Sequence, residues 1–227
     1  MNSVSEHRFV ATRSSGEVSA LWQRPANAHA AYVLAHGAGA DMRHRFMETI
    51  ATALADRGVA TFRYQFPYTE QGRRSPSPRP ILLASVRSAV AEARRLAGDL
   101  PLFAGGKSMG GRMTSLAVAD EPLVGLRGLV FLGFPLHAAG KPGIERGDHL
   151  VDVSLPMLFL QGSRDKLADL ALLEPICEKL RDRATLHVCD GADHSFHVLK
   201  RSGRDDAEVR AEVADTATAW MRGPQSA

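Results

Sequence analysis

The 227-residue chain has only two cysteines, Cys177 and Cys189, and neither sits in a CxxC or Cys/His spacing. That excludes a disulfide framework and gives no zinc signature, so two buried thiols on different elements are expected. Long apolar runs are missing too. The longest, such as 157–160 and 129–132, are strand-sized and far short of a bilayer span, so no membrane segment is expected. The first residues, Met1-Asn2-Ser3-Val4-Ser5-Glu6-His7-Arg8, carry neither an apolar secretory stretch nor an acylation motif, which makes a cytoplasmic location the default expectation. A large excess of one charge is also lacking, the formal net charge being +3. The densest basic cluster, Arg73, Arg74 and Arg79, lies in the Pro/Ser-rich stretch 72–80 without interleaved aromatics or a basic helix. A solvated loop is expected there, and no nucleic-acid partner. There is no internal repeat and no low-complexity tract.

What is present is enough apolar sequence, 44% of residues, for one large core, and too little length for two comfortable domains. A single domain over 1–227 is expected, with its core at about 18–222. From residue 31 onward short apolar runs alternate with amphipathic segments, the pattern of an α/β fold: a mostly parallel central sheet with helices on both faces. The predicted strands are Ala31–Ala35, Val59–Arg63, Leu102–Ala104, Gly128–Leu132, Met157–Leu160 and Thr185–Cys189, with Val18–Arg24 as a possible antiparallel strand at the edge. Helical spacing links Phe46, Ile50 and Leu54; Leu82, Val86, Ala89, Ala93 and Leu96; Met113, Leu116 and Ala117; Leu173, Ile176, Cys177 and Leu180; and Val209, Val213, Ala217 and Trp220. Gly58 is a predicted C-cap of the first helix, and the pair Gly223-Pro224 ends the last.

In open α/β sheets ligands bind beyond the carboxyl ends of the strands. After the strand at 102–104 comes Gly106-Lys107-Ser108-Met109-Gly110, a GxSxG sequence between a strand and a helix. There a sharp turn strains the serine backbone and glycines on either side relieve crowding. The pattern alone is weak; its setting strengthens it. The competing readings are an N-capping serine in a glycine-rich turn or a phosphate-binding loop, but neither GxxxxGK[ST] nor GxGxxG is present. A serine nucleophile needs a base and an orienting carboxylate. The strand at 157–160 leads to Asp165, and the strand at 185–189 leads to His194, so Ser108 as nucleophile, Asp165 as acid and His194 as base each follow a strand. Asp169 and Asp190 are alternatives for the acid, and His197 and His187 for the base; Asp193 is expected to stabilise the histidine loop. The strand at 31–35 is followed by His36-Gly37-Ala38-Gly39. Its loop is expected to supply one oxyanion-hole N–H from Ala38, with Gly39 close behind, while Met109 supplies the other. His36 reads as structural.

With these motifs in place, the chain resembles the α/β-hydrolase superfamily over about 31–220, in particular its compact dienelactone-hydrolase-like members. The resemblance rests on His36-Gly37-Ala38-Gly39, the 106–112 turn, Gln161-Gly162-Ser163-Arg164-Asp165 and Gly191-Ala192-Asp193-His194-Ser195-Phe196. Dienelactone hydrolases proper use cysteine where this chain has Ser108, so their lactone chemistry is not transferred. The resemblance implies an α/β-hydrolase fold and a serine hydrolase that cleaves an acyl ester through an acyl-enzyme, with no cofactor and no metal. Only about two dozen residues separate the strand ending at Leu132 from the next, so no large cap domain is expected and the site is read as open. His137 and Arg73 are expected among the substrate-binding residues at its rim, together with Gly39. The expected partner is a small-molecule acyl substrate, and the chain is expected to be a monomer or homodimer. The readings from other classes are a noncatalytic scaffold for protein binding and a nucleotide- or phosphate-binding module.

Overall fold

Eight strands form one sheet in the computed structural model, which describes residues 3–223. In chain order they are β1 (Ser3–Thr12), β2 (Gly16–Arg24), β3 (Ala30–Ala35), β4 (Val59–Tyr64), β5 (Leu102–Lys107), β6 (Leu126–Leu132), β7 (Met157–Gly162) and β8 (Ala184–Cys189). Their spatial order is β1-β2-β4-β3-β5-β6-β7-β8. The pairs β1–β2 and β2–β4 are antiparallel, and the rest of the sheet is parallel. The helices are α1 (Arg45–Ala55), α2 (Pro67–Glu70), α3 (Arg79–Ala97), α4 (Met109–Asp120), α5 (Leu170–Leu180) and α6 (Asp206–Arg222).

The central strands are apolar throughout because both faces are covered, and alternate residues go to opposite cores. In β3, Ala31, Val33 and Ala35 join the core under α3, α4 and α5, whereas Ala30, Tyr32 and Leu34 join the one under α1 and α6. The strands β6 and β7 divide the same way, Phe131 and Phe159 against Val130 and Leu158. In α1 the buried residues Met47, Ile50, Ala51 and Leu54 keep the three- and four-residue spacing of one helix face. Gly58, at φ 82°, lies two residues beyond the C-cap Asp56 of α1; Gly223 caps α6, and Pro224 lies outside the described residues.

Two expectations need correction. The strand near Val18 is not the edge: β1 pairs outside it, and β2 lies between β1 and β4. The core therefore begins before residue 18, since Phe9 and Ala11 of β1 are buried in it. Most of β1 is exposed, and only its last residues alternate, so it carries little hydrophobic pattern to read.

The segment between β6 and β7 holds a 3-10 stretch, Glu145–Asp152, packed against α4 and α5, and no separate cap domain is seen among the described residues. No helix there is long and apolar enough to cross a membrane. From β3 the chain moves to β4 on one side and to β5 on the other. The crevice beyond β3 and β5 is thus a switch point of the topology, where α/β sheets bind ligands.

Candidate active site

Ser108 sits in the one-residue turn between β5 and α4 with φ 50° and ψ −118°, a conformation that L-residues rarely adopt. Two glycines make the turn fit. A Cβ on Gly106 would lie 2.2 Å from the carbonyl oxygen of Ala35, and one on Gly110 would lie 2.5 Å from the same atom. The serine side chain makes no capping bond to α4, which speaks against the competing N-cap reading. Instead its Oγ lies 2.8 Å from Nε2 of His194.

His194 stands in the loop after β8, and its Nδ1 lies 2.7 Å from Oδ2 of Asp165, in the loop after β7. With Nδ1 donating to the carboxylate, Nε2 is left to accept from the serine hydroxyl. The Asp165 side chain is wholly buried. Its Oδ2 also accepts from Nε2 of Gln161 at 2.5 Å, and its Oδ1 accepts the N–H of Leu167 at 2.7 Å. Gln161, in turn, accepts the N–H of Phe134 through Oε1 at 2.8 Å. Sequence gives Gln161 no role beyond its place in the motif ending at Asp165: as the fifth residue of β7 it reads as a polar strand end, and its partners lie in the loops after β6 and β7.

The alternative acids and bases are engaged elsewhere. Asp169 caps α5 by accepting the N–H of Ala171, and Asp190 accepts from the hydroxyl of Ser163. His187 pairs with Glu212, and His197 with Asp206. Asp193 holds the histidine loop as expected, its Oδ1 accepting the N–H groups of Ser195 and His197.

A pocket of about 210 Å³ opens over Ser108, lined by Gly37, Ala38, Gly39, Phe46, Lys107 and His194. Ala38 and Gly39 are exposed at its mouth. Met109 is the first residue of α4, where N–H groups have no acceptor within the helix. The loop carrying Ala38 is pinned by His36, which is fully buried: Nδ1 donates to the Gly37 carbonyl at 2.9 Å and Nε2 accepts the N–H of Phe66. Burial pushes the His36 imidazole down to about 4, which keeps it neutral and suited to this structural role.

His137 and Arg73 do not line this pocket, which corrects their expected place at the rim. His137 is buried, its Nδ1 donating to the Ala138 carbonyl and its Nε2 accepting the N–H of Asp169, so both nitrogens are used on backbone. Arg73 belongs to the exposed 72–80 stretch, a loop as expected from its composition up to Pro78, with Arg79 and Pro80 already in the first turn of α3. Positive charge gathers instead around Arg112, one turn into α4. Burial and then the charges of Arg146 and Arg79 lower the pKa of Arg112, and burial with Arg112 pushes His149 down to about 4.

Cys177 and Cys189 are free and buried, and burial raises both thiols, to about 11 and about 12. Among the described residues His187, Cys189 and Glu212 place donor atoms within 4.8 Å of one another, but Glu212 is already ion-paired with both His187 and Arg204.

A family described as "Alpha/beta hydrolase domain" matches residues 28–222. Among solved structures the chain is similar to an α/β serine hydrolase homologue from Coxiella burnetii, at 17% identity over 92% of this chain and 96% of that one, with a TM-score of 0.73. It is also similar to a dienelactone hydrolase from Anabaena variabilis, at 20% identity over 96% of each chain and a TM-score of 0.72. A serine hydrolase without a lid from Xanthomonas campestris matches at 18% identity over 97% of this chain and 96% of that one, with a TM-score of 0.73.

Proposed function

The chain belongs to the alpha/beta hydrolase family, and from that premise we propose that it is a serine hydrolase that cleaves small carboxylic esters through an acyl-enzyme. The observation that carries this reading is the unbroken hydrogen-bond chain from Ser108 Oγ through His194 to Asp165. His194 takes the serine proton as Oγ attacks the acyl carbonyl, and Asp165 fixes the imidazole tautomer and stabilises the imidazolium. The N–H groups of Met109 and Ala38 hold the oxyanion, the intermediate expels the alcohol with the proton from His194, and water activated by the same histidine releases the acid.

The size of the pocket supports a small substrate, since it falls below the usual range of about 300–1,000 Å³ for drug-sized ligands. The test is labelling by a fluorophosphonate probe together with turnover of p-nitrophenyl acetate and butyrate. Wild-type protein is expected to label and to turn over, and Ser108→Ala and His194→Ala to lose both, with turnover falling by roughly 10³-fold or more. Asp165→Asn is expected to keep the fold and lower kcat by about 10⁴-fold. A folded wild-type protein that neither labels nor turns over ester overturns the reading in favour of a noncatalytic scaffold.

A further inference from the structure

Lys107 immediately precedes Ser108, and its ammonium is out of contact with solvent although the residue as a whole is only half-buried. Nζ has no hydrogen-bond partner and no carboxylate within ion-pair distance among the described residues. It lies 5.9 Å from the ring centroid of Phe46 and 5.7 Å from that of Phe196, two stacked rings. The ring faces attract the charge but leave the three N–H donors unused. Of the nearby carboxylates, Asp165 has both oxygens taken by His194, Gln161 and Leu167, and Asp193 has Oδ1 taken by Ser195 and His197.

A desolvated cation without an acceptor is costly, and buried polar groups almost always find partners. The ammonium is packed tightly against the backbone just after β6. Gly133 faces the ammonium, and a Cβ there would lie 3.1 Å from Nζ and 3.4 Å from Nδ1 of His194. Phe46 and Lys107 both line the Ser108 pocket, so the ammonium, closed to solvent, opens to a bound ligand as the one half-buried ring of the stacked pair turns aside.

We propose that Lys107 is an anion-recognition point of the Ser108 pocket and that the preferred substrates are half-esters of short dicarboxylic acids, whose free carboxylate reaches Nζ. This rests on the serine-hydrolase reading. The exposed Ala38–Gly39 mouth is where the alcohol departs. The acyl group, which stays attached to Ser108, occupies the enclosed end beside Lys107. The bound carboxylate supplies the acceptor that the protein withholds, while Phe46 and Phe196 cover the pair from water and strengthen it.

The experiment compares kcat/KM for mono-p-nitrophenyl glutarate and for neutral p-nitrophenyl pentanoate, in wild type and Lys107→Met. The wild type is expected to favour the glutarate by about 10- to 100-fold, the worth of one charge-assisted hydrogen bond, and Lys107→Met to lose that preference. A wild-type ratio of one or less, or a ratio unchanged in Lys107→Met, overturns the proposal. Titration calorimetry of glutarate into Ser108→Ala protein, with and without Lys107→Met, reads the same site without turnover. Binding that needs Lys107 upholds the anion site even if no ester is hydrolysed, in which case only the hydrolase reading falls; absence of binding to folded Ser108→Ala overturns the anion site.

Discussion

Gly106 and Gly110 have a demanding role because the backbone of the strand beneath leaves no room for a methyl group. Ala35 O would be inside any Cβ contact distance at both positions, and it is a carbonyl of the central strand β3 that has nowhere to move. Gly106→Ala is therefore expected to lower stability by roughly 4 kcal/mol or more, or to yield insoluble protein. Gly39→Ala, with φ 75° but nothing within 4 Å, is expected to cost only about 1 kcal/mol. Urea unfolding midpoints of the two variants decide it. The same contrast explains what was legible residue by residue. Ser108, Asp165 and His194 each announce themselves by local sequence at a strand end. The role of Gln161 depends on a partner from the loop after β6, Phe134, and that of Lys107 on the lack of any partner. His137 and Arg73 misled because a histidine and an arginine near a site look like ligand groups until backbone acceptors or open water are seen around them.

Among the elements, α6 is the one whose fixing reaches the site. It begins in a capping box, Asp205 accepting the N–H groups of Ala207 and Glu208 while the Glu208 side chain accepts the N–H of Asp205. Its first residue, Asp206, accepts the N–H of Val198 and the ring of His197, in the loop that presents His194. Asp205→Ala is expected to lower stability by about 1 kcal/mol in urea unfolding, the usual worth of an N-cap. The parallel strands β3 to β7 were legible because burial on both faces writes them as apolar runs, while β8, the partly buried far edge, shows as a shorter alternation. β1 was not: it is a half-exposed outer strand whose polar residues face solvent, and pairing with β2 rather than its own pattern makes it a strand.

At the scale of the whole molecule, buried bases give stability a direction in pH. Burial holds His36 at about 4, opposed by Asp41 and aided by His44. It holds His149 at about 4 among Arg112, Arg79 and Asp152, both against an unfolded value of 6.5. Between those values the unfolded chain binds more protons, so the stability these histidines contribute is complete above 6.5 and is lost as pH falls through 4. Lys107 acts in the same sense at higher pH. Burial pushes it down to about 8 from 10.5, against the opposing pull of Asp165 and Asp193. Stability is thus expected to rise again between pH 8 and 10.5, by on the order of 3 kcal/mol. Lys107→Met is expected to abolish that upper rise and to be the more stable protein at pH 7. Urea midpoints taken across pH 4 to 10.5 provide the check, and a wild-type curve that falls from pH 8 upward runs against it.

Ser108 and His194 are 86 residues apart in the chain, and the histidine hangs from the loop beyond the sheet's last strand. During synthesis the proposed nucleophile thus emerges long before its proposed base, and on that reading an incomplete chain holds an elbow that nothing can deprotonate. Recovery of probe labelling after dilution from denaturant is accordingly a clock for closure of the far edge of the sheet, and stays silent while the first strands assemble.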